Sequence, residues 1–230
     1  MSSLHFNDLG VIDYPTASAL QKRLVESRQR GTTTDILLFV EHPHVYTLGR
    51  SGKEANVLAP QDVPVYRASR GGDVTYHGPG QLVAYPIIDL RSKLRKSVHR
   101  YLIKLESTAI KTLADYGLEG TRRPPYTGIW IEDRKIAAIG IAVHRGITFH
   151  GLALNVNPDL TFFERIVPCG LNWAGVTSMT EMLGAEQSTQ RVRDSFLRNF
   201  AEIFGYTDIK VEEGGWKAED RDSPSSILNP

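Results

Sequence analysis

The sequence has a single cysteine among 230 residues, so this residue, Cys169, has no partner within the chain for a disulfide bond. Net charge is also almost absent, since 27 Lys and Arg residues stand against 26 Asp and Glu residues. A dedicated nucleic-acid-binding protein usually carries a strongly basic surface, and this balance argues against that class. The composition, with 41% hydrophobic and 23% charged residues, is typical of a soluble globular protein.

Long hydrophobic runs are missing as well. The first ten residues, MSSLHFNDLG, lack the basic region followed by an apolar run that defines a secretory signal. The most apolar stretch, IAAIGIAV at 136–143, is much shorter than the ~18 residues that a membrane span requires. We therefore expect a cytoplasmic protein with no membrane partner, whose cysteine stays reduced.

The pattern along the chain predicts helices and strands but no internal repeat. Apolar spacing, capping residues and stop signals predict helices at 15–31, 97–116, 178–184 and 189–204. Strands are expected at 35–42, 44–49, 65–69 and 81–90, the last two flanking a glycine-rich turn, and three more strands across 127–156. This grouping predicts an α+β domain with a mixed, mainly antiparallel sheet over residues 1–212, followed by a flexible tail at 213–230.

The local sequence IVPCGLN places Cys169 in a turn. Most lone cysteines pack as small hydrophobic residues, and that interpretation stays open here. However, Pro168 favours an extended conformation at Val167, while Gly170 allows a positive φ and leaves its amide unshielded. Such a turn can present the thiol beside backbone N–H donors, which is the arrangement that an acyl-transfer oxyanion requires.

A catalytic cysteine needs a nearby cation or base, because a thiol with the unperturbed pKa of ~8.5 is mostly protonated near neutral pH. The sequence offers Lys135, His77 and His150 for this purpose. Lys135 opens an apolar strand, either as a solvated turn residue or as a partly desolvated lysine that exchanges protons with the thiol. His150 would suit a Cys/His pair or a purely structural position. The residues alone do not choose among these candidates.

The segment RGGDVTYHGPGQ at 70–81 contains four glycines, more than a simple hairpin turn needs. Glycines let a ligand approach the backbone closely, although neither common glycine-rich phosphate motif is present. His42 and His44 have no cysteine or carboxylate cluster nearby in the sequence, so we predict no metal site.

Five linked motifs resemble those of the bacterial octanoyltransferases of lipoate biosynthesis, in order and spacing. They are HPHVYTLGR, RGGDVTYHGPGQLVAYPI, KIAAIG, FHGLALNV and IVPCGL, the last followed by VTSM. The resemblance covers about residues 5–205. It implies a fold similar to the catalytic domains of lipoate and biotin protein ligases, with a larger and a smaller sheet and helices outside.

The resemblance also implies an activity and a set of site residues. Family members move an octanoyl group from octanoyl-acyl carrier protein to a lysine of lipoyl domains, in 2-oxoacid dehydrogenases and the glycine-cleavage H protein, without a cofactor. Cys169 would be the acyl-thioester nucleophile and Lys135 the residue that lowers its pKa, with His150 and Gly170 in support. The implied acyl pocket consists of Arg70, Gly71, Gly72, Asp73, Val74, Thr75, Tyr76, His77, Ala138, Ile139, Gly140, Gly151, Leu152 and Ala153.

Two alternatives remain at this point. An ATP-dependent lipoate or biotin protein ligase would share the glycine-rich region and the fold, but would need no cysteine. A non-catalytic acyl-chain or carrier-binding module would use Cys169 only for packing. A requirement for ATP separates the first alternative from the transferase, and the effect of Cys169→Ser separates the second.

Overall fold

The computed structural model describes residues 2–171 and 173–211, so the expected tail at 213–230 lies outside the described residues. Five α-helices, twelve strands and three short 3-10 helices make up the regular structure of the described residues. The helices are α1 (Tyr14–Arg30), α2 (Leu90–Lys93), α3 (Val98–Ala114), α4 (Met179–Leu183) and α5 (Thr189–Phe204). The strands are β1 (Ser3–Val11), β2 (Asp35–Glu41), β3 (Val45–Leu48), β4 (Val65–Arg67), β5 (Val74–His77), β6 (Gln81–Ile87), β7 (Thr121–Arg123), β8 (Tyr126–Ile131), β9 (Arg134–His144), β10 (Ile147–Asn155), β11 (Gly175–Val176) and β12 (Asp208–Val211).

Nine of the described strands form one large sheet. Its order is β12-β1-β2-β6-β10-β9-β8-β7, and the short β11 pairs with β9. The contacts of β1 with β2 and β12 and of β11 with β9 are parallel, and the remaining pairs are antiparallel. The predicted mixed, mainly antiparallel sheet is therefore confirmed. The interior position of β9 also agrees with its apolar residues on both faces.

The glycine-rich segment corrects the sequence prediction. Residues 65–69 and 81–90 were expected to flank a glycine-rich turn, but the segment between them contains strand β5. The small sheet has the order β4-β3-β5, whereas β6 belongs to the large sheet. The segment at 70–81 therefore joins the two sheets, and the glycines on either side of β5 serve this crossing. Strands β1, β7, β11 and β12 and the short helix α2 were also not predicted.

The predicted helix ends are confirmed where capping residues marked them. Helix α1 ends at Gly31, which has a φ of 75°, and α3 begins after Ser97, whose side chain accepts a hydrogen bond from the amide of Arg100. In α4 the Ser178 side chain caps the Glu181 amide, as expected. Among the helices of the described residues, none has the length and apolar character needed to cross a membrane.

Two apolar layers cover the two faces of the large sheet. Helices α3 and α5 pack on one face, against residues such as Leu82, Ala84, Leu152 and Leu154. Helix α1 packs on the other face, against residues that alternate with these, such as Val83 and Ala153. A third cluster lies in the small sheet and includes Tyr46, Val74 and Tyr76. Side chains alternate between the two faces of a sheet along each strand. The small residues of β9 and β10 therefore lie together on the α1 face, where they leave open space.

Candidate active site

Cys169 lies in a tight turn formed by residues 167–171, which we call the cysteine turn. Cys169 has φ 56° and ψ 17°, a left-handed conformation that is costly for a residue with a side chain. The following residue, Gly170, also has a positive φ of 70°, which glycine adopts readily. The turn therefore holds the half-buried cysteine in a strained conformation, a feature that often accompanies functional positions.

The backbone of the cysteine turn satisfies its own hydrogen bonds. The Gly170 amide donates to the Val167 carbonyl at 2.9 Å, and the Leu171 amide donates to the Pro168 carbonyl at 3.0 Å. We expected the unshielded Gly170 amide to be able to donate to an oxyanion. The structure corrects this expectation, because the amide already donates to the Val167 carbonyl. The contribution of Gly170 is conformational, since the turn needs positive φ at two consecutive residues.

Lys135 lies next to the thiol. Its Nζ is 3.3 Å from Cys169 Sγ and donates to the Thr127 carbonyl at 3.1 Å. Only 7% of Lys135 is exposed, so it is not a solvated turn lysine. Strand β11, which follows the cysteine turn, pairs Val176 with Lys135 and so ties the turn to the start of β9. The fold thereby brings together two residues separated by 34 positions.

Strand β8 supplies the surroundings of the lysine side chain. Lys135 Nζ lies 4.7 Å from the ring centroid of the buried Trp130. Gly128, with φ 129°, passes close to the lysine stem, and a Cβ at this position would lie 3.2 Å from Lys135 Cε and 2.6 Å from the Ala137 carbonyl oxygen. Gly128 and Trp130 therefore enclose the Lys135 side chain. Neither residue was identified from the sequence.

A polar brace joins the glycine-rich segment to the cysteine turn. Asn56 Nδ2 donates to Asp73 Oδ2 at 2.6 Å, and the carbonyl of Asn56 accepts from the Val167 amide at 2.8 Å. The other carboxylate oxygen of Asp73 accepts from the Val74 amide at 2.6 Å. A Cβ on Gly170 would lie only 2.8 Å from Asp73 Oδ2, so this close approach also requires glycine.

A cavity opens beside Cys169, on the α1 face of the large sheet. The pairing of β10 with β6 and with β9 places three residues in one row across this face: Val83, Ala153 and Ala138. Gly151 and Gly140 are paired two residues further along. The floor is therefore made of small residues, which leaves room for an extended apolar group.

The structure brings most of the expected pocket residues to this cavity. Those that line it are Arg70, Gly71, Gly72, Asp73, Thr75, His77, Ala138, Ile139, Gly140, Gly151, Leu152 and Ala153, together with Cys169 and His150. Ile139 and Leu152 belong to the core on the opposite face, so they border the cavity through their main chain.

Two expected wall residues are not part of this lining. Val74 and Tyr76 pack in the core of the small sheet, because they alternate along β5 with Thr75 and His77. Lys135 borders a smaller adjoining cavity, which it shares with Cys169, Thr75 and Ala138.

Arg70 is a buried cation at the cavity wall, with 8% of its surface exposed. Its guanidinium donates to the carbonyls of Gly71 and Asp73 at 3.0 and 2.8 Å, and to the carbonyl and hydroxyl of Thr47 at 2.6 and 2.8 Å. Burial lowers the pKa of Arg70, while the negative charge of an ionised Cys169 acts in the opposite direction. Within the described residues Arg70 has no carboxylate side chain as an ion-pair partner.

The two histidines of the cavity are neutral near pH 7. Burial lowers the pKa of His150 to about 3, and the charge of Arg70 contributes in the same direction. Burial also lowers the pKa of His77 well below its usual value, with His42 and Arg70 adding to the effect. His150 Nε2 is 2.9 Å from Ser69 Oγ, so it has a structural partner. An imidazolium is therefore not available to pair with an ionised Cys169, whereas Lys135 Nζ lies 3.3 Å from its sulfur.

His42 is buried behind the cavity and has two hydrogen-bond partners. Its Nδ1 donates to the Ile12 carbonyl at 2.6 Å, and its Nε2 accepts from the Tyr85 hydroxyl at 2.8 Å. Burial lowers the pKa of His42 to about 4. No group of three or more His, Cys, Asp or Glu residues arranged to hold a metal ion occurs within residues 2–171 and 173–211.

Comparison with known proteins shows the family of the chain. Residues 13–201 match the model of the lipoyl protein ligase A/B catalytic domain. The octanoyltransferase of Solibacter usitatus is 49% identical over 212 residues, covering 90% of this chain and 95% of that protein. The octanoyltransferase of Christiangramia forsetii is 41% identical over 220 residues, covering 86% and 94% respectively. The chain belongs to the octanoyltransferase family.

Solved structures with a similar fold include ligases. The bi-partite lipoate protein ligase of Thermoplasma acidophilum superposes with a TM-score of 0.70 at 17% identity, covering 96% of this chain and 89% of that chain. The biotin protein ligase of Aquifex aeolicus gives a TM-score of 0.55 at 13% identity, covering 89% and 71%. At these identities the likeness shows the fold alone, and it confirms the expected ligase-like architecture of this octanoyltransferase family member.

Several residues of the site were not identified from the sequence. Tyr14, Val83 and Tyr85 line the cavity of this octanoyltransferase family member, and Asn56 holds the cysteine turn. Val83 and Tyr85 occupy alternate positions of β6, so they lie on the same face of the sheet. Strand periodicity could have identified them once the neighbouring strands were known. Tyr14 and Asn56 carry no local pattern that marks them, because their positions depend on contacts distant in sequence.

Proposed function

We propose that this protein transfers an octanoyl group from a thioester donor to a lysine of an acceptor protein, through a thioester on Cys169. The observation that carries this proposal is the 3.3 Å contact between Lys135 Nζ and Cys169 Sγ beside an apolar cavity. A nucleophilic cysteine requires a partner that takes its proton and stabilises the thiolate. Lys135 meets both needs in a site where both cavity histidines are neutral.

In the first half-reaction, the thiol proton passes to Lys135 and the thiolate attacks the carbonyl carbon of the donor thioester. The bond between that carbon and the donor sulfur then breaks. Lys135 returns its proton to the departing thiolate, so the donor leaves as a free thiol and Lys135 is neutral. One thioester has been exchanged for another, and no outside energy source is needed.

In the second half-reaction, the amine of the acceptor lysine attacks the Cys169 thioester. Neutral Lys135 accepts the proton that the amine loses, and Cys169 departs as a thiolate beside the new ammonium group. The product is an amide, which is more stable than the thioester from which it forms. The site thus returns, without ATP, to the thiolate and ammonium form from which the first attack took place.

The cavity suits a medium-length acyl chain. At about 0.8 kcal/mol for each buried methylene, the six methylenes of an octanoyl group contribute about 5 kcal/mol of binding free energy. The small floor residues Ala138, Gly140 and Ala153 leave space for the chain on the α1 face. The length of this space would act as a ruler for the chain.

For the partners, we propose octanoyl-acyl carrier protein as the donor and lipoyl domains as the acceptors. These include the domains of 2-oxoacid dehydrogenases and the glycine-cleavage H protein, as the sequence motifs imply. Family membership supports an octanoyl donor, and the archaeal ligase of similar fold is described together with an E2 lipoyl domain. The near-neutral net charge agrees with a protein that has no nucleic-acid partner.

Intact-protein mass spectrometry tests the proposal. The protein is mixed with octanoyl-acyl carrier protein in the absence of ATP, beside the variants Cys169→Ser and Lys135→Ala. We expect one octanoyl adduct that hydroxylamine removes, none on Cys169→Ser, and slow formation on Lys135→Ala. If the wild-type protein forms no adduct but modifies a lipoyl domain once ATP and free octanoate are supplied, the protein is a ligase.

A further inference from the structure

An exposed aromatic surface lies next to the lysine of the active site. We call it the aromatic platform and define it as Arg123, Tyr126, Trp130 and Trp173. The Trp130 and Trp173 rings stack, with centroids 5.7 Å apart and planes at 8°. Tyr126 contacts Trp173 with ring centroids 5.3 Å apart, and Arg123 Cζ lies 4.7 Å from the centroid of the Trp173 ring.

The aromatic platform is continuous with the catalytic pair. Lys135 Nζ is 3.3 Å from the thiol and 4.7 Å from the buried Trp130 ring, whose other neighbour is Trp173. Trp173 follows Cys169 by four positions, so it lies close to the cysteine turn along the chain as well. The outer ring is therefore connected to the reacting sulfur through Trp130 and Lys135.

Packing within this chain does not account for the outer part of the platform. Trp130 is fully buried, but Trp173 is 46% exposed and Tyr126 is 37% exposed. Tryptophan, tyrosine and arginine are the residue types that concentrate in the energetically important parts of protein interfaces. The Arg123 ion pair with Asp133, whose side chain is 80% exposed, is open to solvent and easily exchanged.

The platform lies outside the two cavities that border Cys169. None of its four residues lines the cavity that suits the acyl chain, nor the smaller cavity that Cys169 shares with Lys135. The platform borders Lys135 from the side of β8. Lys135, which takes the proton of the acceptor amine in the proposed mechanism, is therefore linked to the exposed Trp173 ring through the buried Trp130 ring.

We propose that the aromatic platform docks the acceptor protein and guides its lysine side chain to the acylated Cys169. This inference rests on the proposed function. The aliphatic stem of the lysine packs on the exposed rings of Trp173 and Tyr126, as lysine stems do on apolar surfaces. The nearby positive charge of Arg123 disfavours the ammonium form of the incoming lysine, so it favours the neutral, nucleophilic amine.

The experiment separates acylation from transfer. Wild type, Trp173→Ala, Trp173→Phe and Tyr126→Ala are acylated with octanoyl-acyl carrier protein, and each acyl-enzyme is then discharged with hydroxylamine or with an apo lipoyl domain of a 2-oxoacid dehydrogenase. Val11→Ala, an exposed apolar residue of β1 outside the platform, is the control. Hydroxylamine is too small to need a docking surface, so it reports the reactivity of the thioester alone.

We expect Trp173→Ala to form the acyl-enzyme and react with hydroxylamine within about twofold of wild type. Its KM for the lipoyl domain should rise about tenfold or more, the effect expected when an interface residue that contributes much of the binding free energy is lost. The rise for Tyr126→Ala should be smaller. Trp173→Phe should recover most of the loss, because it keeps an aromatic surface.

Two results would overturn this docking assignment while leaving the proposed function intact. One is a wild-type KM for the lipoyl domain in Trp173→Ala. The other is an equal slowing of acylation and of both discharge reactions, which would assign the platform to the catalytic pair. A wild-type protein that forms no hydroxylamine-labile adduct would instead overturn the proposed function, and the docking assignment with it.

Discussion

Lys135 Nζ lies 3.3 Å from Cys169 Sγ, while only 7% of the lysine is exposed to solvent. Its other close partners are the carbonyl of Thr127 and the ring of Trp130, and no acidic side chain of the described residues forms an ion pair with it. A buried cation is costly unless an anion or strong dipoles compensate for it. In the proposed mechanism the thiolate of Cys169 supplies this anion.

Replacing the lysine should therefore lower the reactivity of the cysteine. In Lys135→Met, which keeps an unbranched stem without charge, we expect alkylation of Cys169 by iodoacetamide at pH 7 to slow by about tenfold or more, as removal of a close opposite charge implies. The measurement is the alkylation rate by mass spectrometry between pH 6 and 9. Arg134→Met, at the preceding position with its side chain paired to Glu181, is the matched control and should behave as wild type. Equal rates in Lys135→Met and wild type would contradict the coupling.

The brace between Asn56 and Asp73 gives a second prediction. Asn56→Ala removes the hydrogen bond to the Asp73 carboxylate, which is 2.6 Å long, but keeps the backbone carbonyl that accepts from Val167. We expect a loss of about 1–2 kcal/mol in the free energy of unfolding and slower acyl-enzyme formation, because the carboxylate and the cysteine turn lose a shared support. Urea unfolding and acylation kinetics measure the two effects.

The control for this brace is Asn157→Ala, which removes a different side-chain amide whose bonds lie away from Cys169, to Gln187 and Thr180. It should lose stability without a comparable change in acylation at equal folded fraction. If Asn56→Ala loses stability but acylates at the wild-type rate, the brace supports the fold and not the nucleophile.

Much of the fold was predictable because its signals are local. Ser97 and Gly31 mark helix ends that the structure confirms, and the apolar pattern of residues 136–143 predicted an interior strand. Strand β5 was missed because glycines surround only four strand residues, and its pairing with β3 depends on distant sequence. Strand β12 was missed because it is mostly exposed at the edge of the sheet and pairs with β1, about 200 positions away.

The site was predictable only in part, because several of its contacts join residues that are distant in sequence. Motif order named Cys169 and Lys135 by resemblance, but the burial of the lysine follows from Gly128 and Trp130 on the neighbouring strand. Composition around Gly170 predicted a turn without revealing that its amide is already bonded to Val167. These features depend on how separate segments meet, which residue types and spacing do not specify.

The small residues of the cavity floor predict control of chain length. Ala153 is paired with Ala138 and Val83 across the sheet, and it is almost fully buried against the α1 layer. Ala153→Leu should fill part of the cavity and lower kcat/KM for an octanoyl donor more than for a butyryl donor, because each methylene that loses its binding space costs about 0.8 kcal/mol. Competition between the two donors, with acyl-enzymes resolved by mass, measures the ratio. An unchanged ratio would show that the chain follows another path.

The neutral histidines in and behind the cavity predict an acid-sensitive fold. The pKa of His42 is lowered to about 4 and that of His150 to about 3, both chiefly by burial, from the usual value of 6.5. In the unfolded chain each imidazole takes up a proton as the pH falls below about 6.5, whereas the folded protein takes it up only near the lowered pKa. The unfolded state therefore binds more protons between these values, so stability is highest above pH 6.5 and falls on acidification.

At pH 5 this proton uptake should cost about 2 kcal/mol of unfolding free energy for each of the two histidines, relative to pH 8. Urea unfolding at the two pH values measures the loss. His150→Asn removes one titrating group and keeps a residue that tolerates the φ of 57° found there, so the difference between pH 8 and pH 5 should shrink by about 2 kcal/mol. A variant with the full wild-type difference would show that His150 is not a source of the acid sensitivity. The same variant should keep a Lys135-dependent alkylation rate, since a neutral imidazole supplies no charge to the thiolate.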